Sequence, residues 1–292
     1  MRIGIAILPD QRWAESSRRW RLAEEYGFDH AWTYDHLGWR DLVDGPWFDA
    51  VPTLTAAATV TSRIRLGTYV ATPNFRHPVH FAREALALDD ISAGRLILGL
   101  GAGGIGFDSA VLGAAELTPR QRVDRFAEFL ELFDRILGAP ATTWSGSWFS
   151  AVDARSTPGP VQQPRPPFVV AANGPRALRL AARFGTGWVT TGEHNVETPE
   201  QWWRSVAEYR DRFEGVLNAE GRPRDSMDRY LNLDTSPLYS MSSVDAFEDA
   251  VGRAAELGFT DVITHWPRQS SWYTGDEKVL EAVAGKLPRL RG

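Results

Sequence analysis

The chain has 292 residues, of which 43% are hydrophobic, 24% charged and 11% aromatic, which is typical of a folded globular protein and excludes a disordered or fibrous one. Its 32 basic and 37 acidic residues are mixed along the chain and give a net charge of −5, which argues against nucleic acid or an anionic membrane surface as the main partner. The absence of cysteine excludes disulfides, thiolate-bound zinc and cysteine-held iron–sulfur clusters, so any redox chemistry must come from a bound cofactor.

The amino-terminal stretch does not have the pattern of a targeting signal. Its apolar part, within residues 1–10, is too short for the core of a signal peptide. No later run reaches the roughly 18–20 apolar residues of a membrane helix. We therefore expect a soluble, cytoplasmic protein without a membrane partner.

Short apolar strands alternate with amphipathic helices from the first residues onward. Residues 2–8 predict a strand and residues 14–26 a helix, which Gly27 ends. The later predicted strands cover residues 30–34, 64–71, 95–101, 167–172, 186–191, 229–234 and 261–265. The later predicted helices cover residues 50–60, 79–91, 120–137, 199–217 and 277–284. Thr118 and Thr198 each begin a Thr-Pro-x-Gln sequence, which is a capping box with proline at the first helical position.

Eight strands with helices between them predict a parallel (β/α)8 barrel, a TIM barrel, as a single domain over residues 1–292. Periodicity alone leaves a doubly wound parallel sheet open as an alternative. Residues 138–166, between the fourth helix and the fifth strand, are rich in Gly, Pro, Ser and Thr. Because this stretch is too long for an ordinary connection, we interpret it as an insertion in the barrel.

In such a barrel the active site forms at the carboxyl ends of the strands, which directs attention to the residues that follow each strand. His36 and Asp35 come after the second strand. Histidine can exchange a proton near neutral pH when a neighbouring acceptor fixes its tautomer, so this pair is a candidate for acid–base chemistry. An ordinary surface or capping pair is the alternative interpretation.

Two glycine-containing strand ends are candidate ligand sites. Residues 99–104 read Gly-Leu-Gly-Ala-Gly-Gly, whose spacing does not fit a dinucleotide fingerprint, and these glycines indicate either close access for a ring or a tight turn. Residues 172–176 read Ala-Asn-Gly-Pro-Arg, which places free amides at the start of a helix and predicts an anion site. Thr190, Thr191 and Gly192 follow the next strand and can complete that site.

Several segments together resemble the luciferase-like flavin-dependent oxidoreductase superfamily, and specifically its branch that uses the deazaflavin coenzyme F420. The resemblance covers nearly the whole chain. The segments that carry it are residues 23–32, Asp35-His36-Leu37, 63–68, Arg76-His77-Pro78, 88–95, 98–103 and 181–188.

This resemblance implies a barrel whose strand ends hold a flavin or deazaflavin ring, with a non-prolyl cis peptide at Tyr69-Val70 behind the ring. It implies a catalytic group of His36, Asp35 and Trp39 near the carbon that transfers the hydride. The implied contacts to the ring are Tyr69, Val70, Thr72, Gly103 and Gly104, and those to the phosphate are Ala172, Asn173, Gly174, Thr191 and Gly192.

The resemblance favours F420 as the cofactor and hydride transfer to or from a small organic substrate as the reaction. FMN is the alternative, in a monooxygenase that uses reduced flavin, oxygen and a separate flavin or F420 reductase. No metal site is expected, because His77 and His80 stand at a predicted helix start. Family members commonly pair through their early helices, so we expect a homodimer that uses residues 50–60 and 79–91.

One position departs from the family pattern. Sugar-phosphate and alcohol dehydrogenases of this branch carry a glutamate proton donor just after the fourth strand, where this chain has Gly104. Proton transfer would then depend on His36 or Asp108. The departure leaves a non-catalytic homologue open as an alternative, whereas a cofactor-free hydrolase lacks a convincing nucleophile–base pair or ligand set.

Overall fold

The computed structural model describes residues 1–291 and contains a closed barrel of eight parallel strands, which confirms the predicted fold class. Around the barrel the strand order is β1-β10-β9-β8-β7-β4-β3-β2. The ten strands are β1 (Arg2–Ala6), β2 (His30–Thr33), β3 (Arg65–Thr68), β4 (Leu96–Gly101), β5 (Ala141–Ser145), β6 (Ser150–Arg155), β7 (Phe168–Ala171), β8 (Gly187–Thr190), β9 (Asp228–Asn232) and β10 (Asp261–His265).

Helices connect successive barrel strands, as parallel pairing requires. They are α1 (Trp13–Glu25), α2 (Ala50–Val60), α3 (Pro78–Ile91), α4 (Phe107–Ala110), α5 (Pro119–Gly138), α6 (Pro175–Phe184), α7 (Pro199–Ala219), α8 (Val244–Glu256), α9 (Glu277–Ala284) and α10 (Leu287–Leu290). The predicted capping boxes at Thr118 and Thr198 are confirmed at the starts of α5 and α7. His77 caps α3, because its side chain accepts a hydrogen bond from the Val79 amide. Among residues 1–291, no helix combines the length and the apolar character needed to cross a membrane.

The stretch interpreted as an insertion contains the antiparallel hairpin of β5 and β6, which the sequence analysis did not predict. Glu128 of α5 anchors its turn, since its carboxylate accepts hydrogen bonds from the Trp148 amide at 3.1 Å and the Phe149 amide at 2.8 Å. A Cβ atom at Gly146 would lie 1.8 Å from Glu128 Oε1. The turn therefore needs glycine at this position.

The chain divides into two compact units. The first comprises Met1–Leu8, Arg19–Trp32 and the residues from Val169 onward, and the second comprises Pro9–Arg18 and Thr33–Phe168. That the whole chain forms one domain stays a prediction.

Each unit has its own aromatic core. In the first unit Trp188 stacks on Phe213, with ring centroids 4.4 Å apart. In the second unit the Phe133 ring stacks on Phe81 at 5.2 Å and on Phe168 at 5.4 Å. All five side chains are fully buried, and each such burial contributes about 1.5–3 kcal/mol.

A buried ion-pair group lies at the amino-terminal ends of β1 and β10 in the first unit. Asp261 is fully buried and accepts hydrogen bonds from the Arg2 guanidinium at 2.7 and 2.6 Å. His30 Nε2 lies 3.1 Å from the same carboxylate. Burial raises the pKa of Asp261, but its hydrogen bonds with Arg2 and His30 outweigh that effect and hold the pKa below its ordinary value.

Candidate active site

His36 lies just after β2 in the second unit, and Asp108 determines how its ring is oriented. The Nδ1 atom of His36 lies 2.5 Å from Asp108 Oδ2, and the Leu37 amide donates to Asp108 Oδ1 at 2.7 Å. A carboxylate at this distance accepts the Nδ1 proton, so the neutral ring presents Nε2 as its free acceptor. Among residues 1–291, Nε2 has no hydrogen-bond partner, and 28% of the His36 side chain is exposed. This is the geometry of an oriented acid–base group.

Asp108 belongs to α4, in the connection between β4 and α5. It is buried, whereas its helix neighbour Phe107 is exposed. A Cβ atom at Gly38 would lie 2.8 Å from the Phe107 ring, so the absence of a side chain at Gly38 lets α4 approach the loop after β2 closely. The carboxylate therefore reaches His36 across 72 positions of sequence.

Asp35, which was expected to act in catalysis beside His36, has a different place in the structure. It is 1% exposed and binds the Arg76 guanidinium through both carboxylate oxygens, at 2.6 and 3.1 Å. Arg76 also binds Asp49, the residue that caps α2, at 2.9 Å, and Glu84 of α3 at 3.3 Å. The side chain of Asp35 thus joins the loop after β2 to the segments that begin α2 and α3.

The Arg76 guanidinium favours the ionised form of the buried Asp35 carboxyl group. Burial raises the pKa of Asp35 to about 6, against the opposing effect of the Arg76 guanidinium. The carboxyl group is therefore mostly ionised at pH 7. The structure thus places Asp35 against Arg76 with 1% of its surface exposed, and its expected role in catalysis stays a prediction.

The Tyr34 ring joins the His36 side chain to other aromatic residues. The Tyr34 ring lies edge-on to His36 at 5.8 Å and to Trp39 at 5.1 Å, and it contacts Tyr69 at 5.9 Å. The Trp47 indole donates a hydrogen bond to the His36 carbonyl at 2.8 Å. Trp39 and His36 thus both contact the Tyr34 ring, and the catalytic role expected of Trp39 stays a prediction.

The ends of β3 and β4 carry the residues that the resemblance assigns to the ring. The peptide bond between Tyr69 and Val70 is cis, which confirms that prediction. Val70 is half-buried, and Thr72 is buried. These residues follow the strands at the edge where a barrel binds its ligand.

The two glycines after β4 differ in their surroundings. Gly103 has a positive φ of 75°, and a Cβ atom there would lie 2.6 Å from the Asn74 side chain, so the turn requires glycine. Gly104 is exposed, and a Cβ atom there would have no neighbour within 4 Å. A side chain could therefore be accommodated at Gly104, and its absence leaves open space.

In the first unit, the connection between β7 and α6 forms the second candidate site. Gly174 caps α6 without a side chain to bond the first amides, and a Cβ atom there would meet nothing within 4 Å. The exposed amides and the helix dipole favour a bound anion.

Hydrogen bonds fix the two strand ends that flank this helix start. Asn173 Oδ1 accepts from Thr190 Oγ1 at 2.7 Å, and Asn173 Nδ2 donates to the Gly192 carbonyl at 3.3 Å. The Trp188 indole donates to the Ala172 carbonyl at 2.7 Å, and the Trp202 indole donates to the Thr191 carbonyl at 2.9 Å. The structure therefore brings together all five residues predicted at the phosphate: Ala172, Asn173, Gly174, Thr191 and Gly192.

A further histidine–carboxylate pair in the first unit has no access to a ligand. His265 Nδ1 lies 2.8 Å from Asp234 Oδ2, and both side chains are fully buried. The Tyr273 ring stacks on His265 at 3.8 Å. This pair stabilises the end of β10. Within residues 1–291, no group of three or more histidine, aspartate or glutamate side chains is placed to hold a metal ion.

The sequence matches a known family over most of its length. The family described as luciferase-like monooxygenase matches residues 1–273. The chain is similar to the F420-dependent glucose-6-phosphate dehydrogenase of Microbacterium testaceum, with 31% identity over 223 residues, which cover 74% of this chain and 62% of that protein. It thus spans less than two thirds of that relative. It is also similar to the 5,10-methylenetetrahydromethanopterin reductase of Archaeoglobus fulgidus, with 28% identity over 91% of this chain and 71% of the reductase.

A solved structure has the same fold. The structure of the coenzyme F420-dependent tetrahydromethanopterin reductase from Methanopyrus kandleri matches this chain with a TM-score of 0.77 and 20% identity, over 99% of both chains. At this identity the likeness supports the barrel fold alone.

Proposed function

Since the chain belongs to the luciferase-like monooxygenase family, we propose that it is an oxidoreductase that uses coenzyme F420 to transfer a hydride to or from a small organic substrate. One observation carries the proposal, namely the 31% identity over 74% of this chain to an F420-dependent dehydrogenase. When bound, F420 would supply the two-electron chemistry. The protein would supply binding, orientation and proton transfer.

Proton transfer is assigned to His36. Its Nε2 atom is the free acceptor of a ring that Asp108 holds through Nδ1 at 2.5 Å. A base oriented in this way takes a proton from a substrate hydroxyl group, or returns one from Nε2 in the reverse direction. Gly104 offers no carboxyl group for the same task, so the proposal assigns it to His36, which is oriented and partly exposed, with Asp108 as its positioning residue.

The neighbouring side chains support this histidine without touching the reacting atoms. Asp35 and Arg76 hold the loop after β2, because their ion pair is buried and has two hydrogen bonds. Tyr34 packs edge-on against the His36 ring and against Trp39, so it shields one side of the histidine from water. Such shielding strengthens the hydrogen bond to Asp108.

The coenzyme contacts are proposed separately for each unit. In the second unit Tyr69, Val70, Thr72, Gly103 and Gly104 are assigned to the ring. In the first unit the open helix start at Gly174 is assigned to the phosphate, with Ala172, Asn173, Thr191 and Gly192 around it.

Titration of the purified protein with F420 and with FMN, followed by quenching of coenzyme fluorescence, tests the proposal. We expect tight binding of F420 and weaker binding of FMN. Tight binding of FMN with no binding of F420 would replace the proposal by an FMN-dependent monooxygenase served by a separate reductase. Failure to bind either coenzyme would indicate a non-catalytic homologue.

Two variants at one position test the phosphate assignment. Gly174→Asp places a carboxylate at the helix start, where it repels a phosphate and competes for the amides, so it should abolish coenzyme binding in a folded protein. Gly174→Ala is the matched control, since its methyl group enters open space and adds no charge. Equal F420 affinity in both variants would remove the assignment.

A homodimer that uses α2 and α3 and a cytoplasmic location belong to the same proposal. The family expectation supports the dimer.

A further inference from the structure

Two arginines of α5 lie beside the open space at Gly104. Arg122 and Arg125 are three residues apart, so they lie on the same face of the helix, and both line a surface pocket with Asn74, Gly104 and Glu116. Each guanidinium group has five N–H donors but makes a single hydrogen bond. Arg122 donates to the Leu117 carbonyl at 2.9 Å, and Arg125 donates to Asn74 Oδ1 at 2.5 Å.

The positive charge of this pair is not balanced by the protein. Within residues 1–291, neither arginine forms an ion pair, although Glu116 lines the same pocket and is exposed. The Nε atom of Arg125 is buried and has no hydrogen-bond partner. Burial, followed by the charge of Arg122, lowers the pKa of Arg125. Two adjacent cations without an ion-pair partner favour the binding of an anion.

The position of Asn74 connects this pair to the proposed ring site. Its amide donates to the Gly104 carbonyl at 3.2 Å, while its oxygen accepts from Arg125. The pocket has a volume of about 10 Å³, which is room for about one water molecule. A larger anion therefore has to lie at the mouth of the pocket, in the open space over Gly104.

We propose that Arg122, Arg125 and the space over Gly104 form a subsite for an oxyanion, and that the substrate of this protein carries a carboxylate or phosphate group that binds there. The guanidinium donors of Arg125 would bind two oxygens of the group, and Arg122 would add charge. Anion binding does not depend on the proposed hydride transfer, whereas the assignment of the anion to the substrate rests on it.

Isothermal titration with inorganic phosphate tests the subsite in the Gly174→Asp background, because the helix start of α6 is then blocked. Arg125→Ala should weaken phosphate binding at least about tenfold, the effect of losing a charged hydrogen bond. Arg120→Ala is the matched control, since Arg120 lies on the same helix with 86% of its side chain exposed and does not line the pocket. Equal phosphate affinities in the two variants, or no binding to the background protein, would overturn the subsite.

A second pair of variants keeps the test decisive if Arg125→Ala does not fold. Gly104→Glu places a carboxylate in the open space, so it should occupy the arginines, abolish phosphate binding and raise the melting temperature. Gly104→Gln has the same size without the charge and should keep at least part of the binding. Identical behaviour of the two variants would contradict the proposal.

A screen of candidate substrates with F420 identifies which anionic group binds at the subsite. Carboxylated and phosphorylated compounds are compared with neutral analogues of the same shape, and kcat/KM should be higher for one anionic class and fall in Arg125→Ala. If phosphate binds but turnover shows no preference for anions, the assignment to the substrate is wrong and the subsite stands. If no compound is turned over in either direction, the proposed hydride transfer fails and the phosphate titration decides the subsite alone.

Discussion

Asp108 determines which nitrogen of His36 carries a proton, and Asp108→Asn tests this arrangement. The carboxylate accepts from Nδ1 through one oxygen and from the Leu37 amide through the other. The carboxamide of the variant keeps an oxygen toward Leu37 and turns its NH₂ group toward Nδ1. The ring must then accept at Nδ1 and carry its proton on Nε2, so the neutral histidine no longer has a free acceptor where the substrate binds.

The expected loss in rate is much larger than the loss in stability. Removing a positioned acid–base group costs about 10²–10⁴ in rate, which corresponds to about 3–5 kcal/mol of transition-state stabilisation. Asp108→Asn keeps its volume and its hydrogen bond to Leu37, and exchanges one charged hydrogen bond for a neutral one. That exchange costs about 1–2 kcal/mol of unfolding free energy. Turnover should therefore fall at least about a hundredfold in a protein that remains folded.

The assay is turnover of a substrate found by screening, followed through the absorbance of F420, together with thermal melting. Wild type is compared with His36→Ala, with Asp108→Asn and with the protein that carries both changes. Because the two residues act as one unit, the double variant should be no slower than His36→Ala. Asp90→Asn, which makes the same chemical change at an exposed position of α3, is the control. Wild-type turnover in His36→Ala with normal coenzyme binding would refute the role of His36, and equal rates in Asp108→Asn and Asp90→Asn would refute that of Asp108.

Three other outcomes are expected. The pKa of Asp261 is held below its unfolded value of about 4, so its ionised form stabilises the fold above that pH and this contribution is lost as the pH falls further. Asp261→Asn should therefore have a lower free energy of unfolding at pH 7, and in urea unfolding this free energy should fall less below pH 4 than in the wild type. An equal fall in both proteins would contradict the stabilising role of the ionised Asp261. Arg76→Met leaves the buried carboxylate of Asp35 without its cation and should lose about 3–5 kcal/mol, whereas Arg83→Met, at an exposed position, should lose little. Light scattering at micromolar concentration should return the mass of a dimer, and a monomer mass would exclude pairing through α2 and α3.

Most of the fold could be predicted because local signals and the global architecture agree. Strands such as Leu96–Gly101 and Phe168–Ala171 are short apolar runs, and proline and capping residues mark the helix starts at Thr118 and Thr198. The hairpin in residues 138–166 was missed because its exposed strands alternate weakly and its turn is held by Glu128, a contact that spans up to 21 positions of sequence. Such long-range anchoring leaves no periodic signal.

The residues proposed for the site could be named from the sequence, but their partners could not be assigned. Asp35 and His36 are adjacent in sequence and yet bind different partners, Arg76 and Asp108. Nothing in the sequence could have shown that residue 108 folds back to residue 36.

The orientation of the His36 ring depends on the position of α4 against the loop after β2. Asp108 is carried by a connection between a strand and a helix, not by a barrel strand, and it is joined to the loop after β2 by two hydrogen bonds. Hydrogen bonds weaken steeply with distance, so a displacement of α4 by about 1 Å would release Nδ1 and free the ring to change tautomer. The same connection carries Glu116 and Leu117, which line the pocket at Arg122. The helix that orients His36 and the proposed anion subsite thus share one connection, so a change that displaces α4 should disturb both.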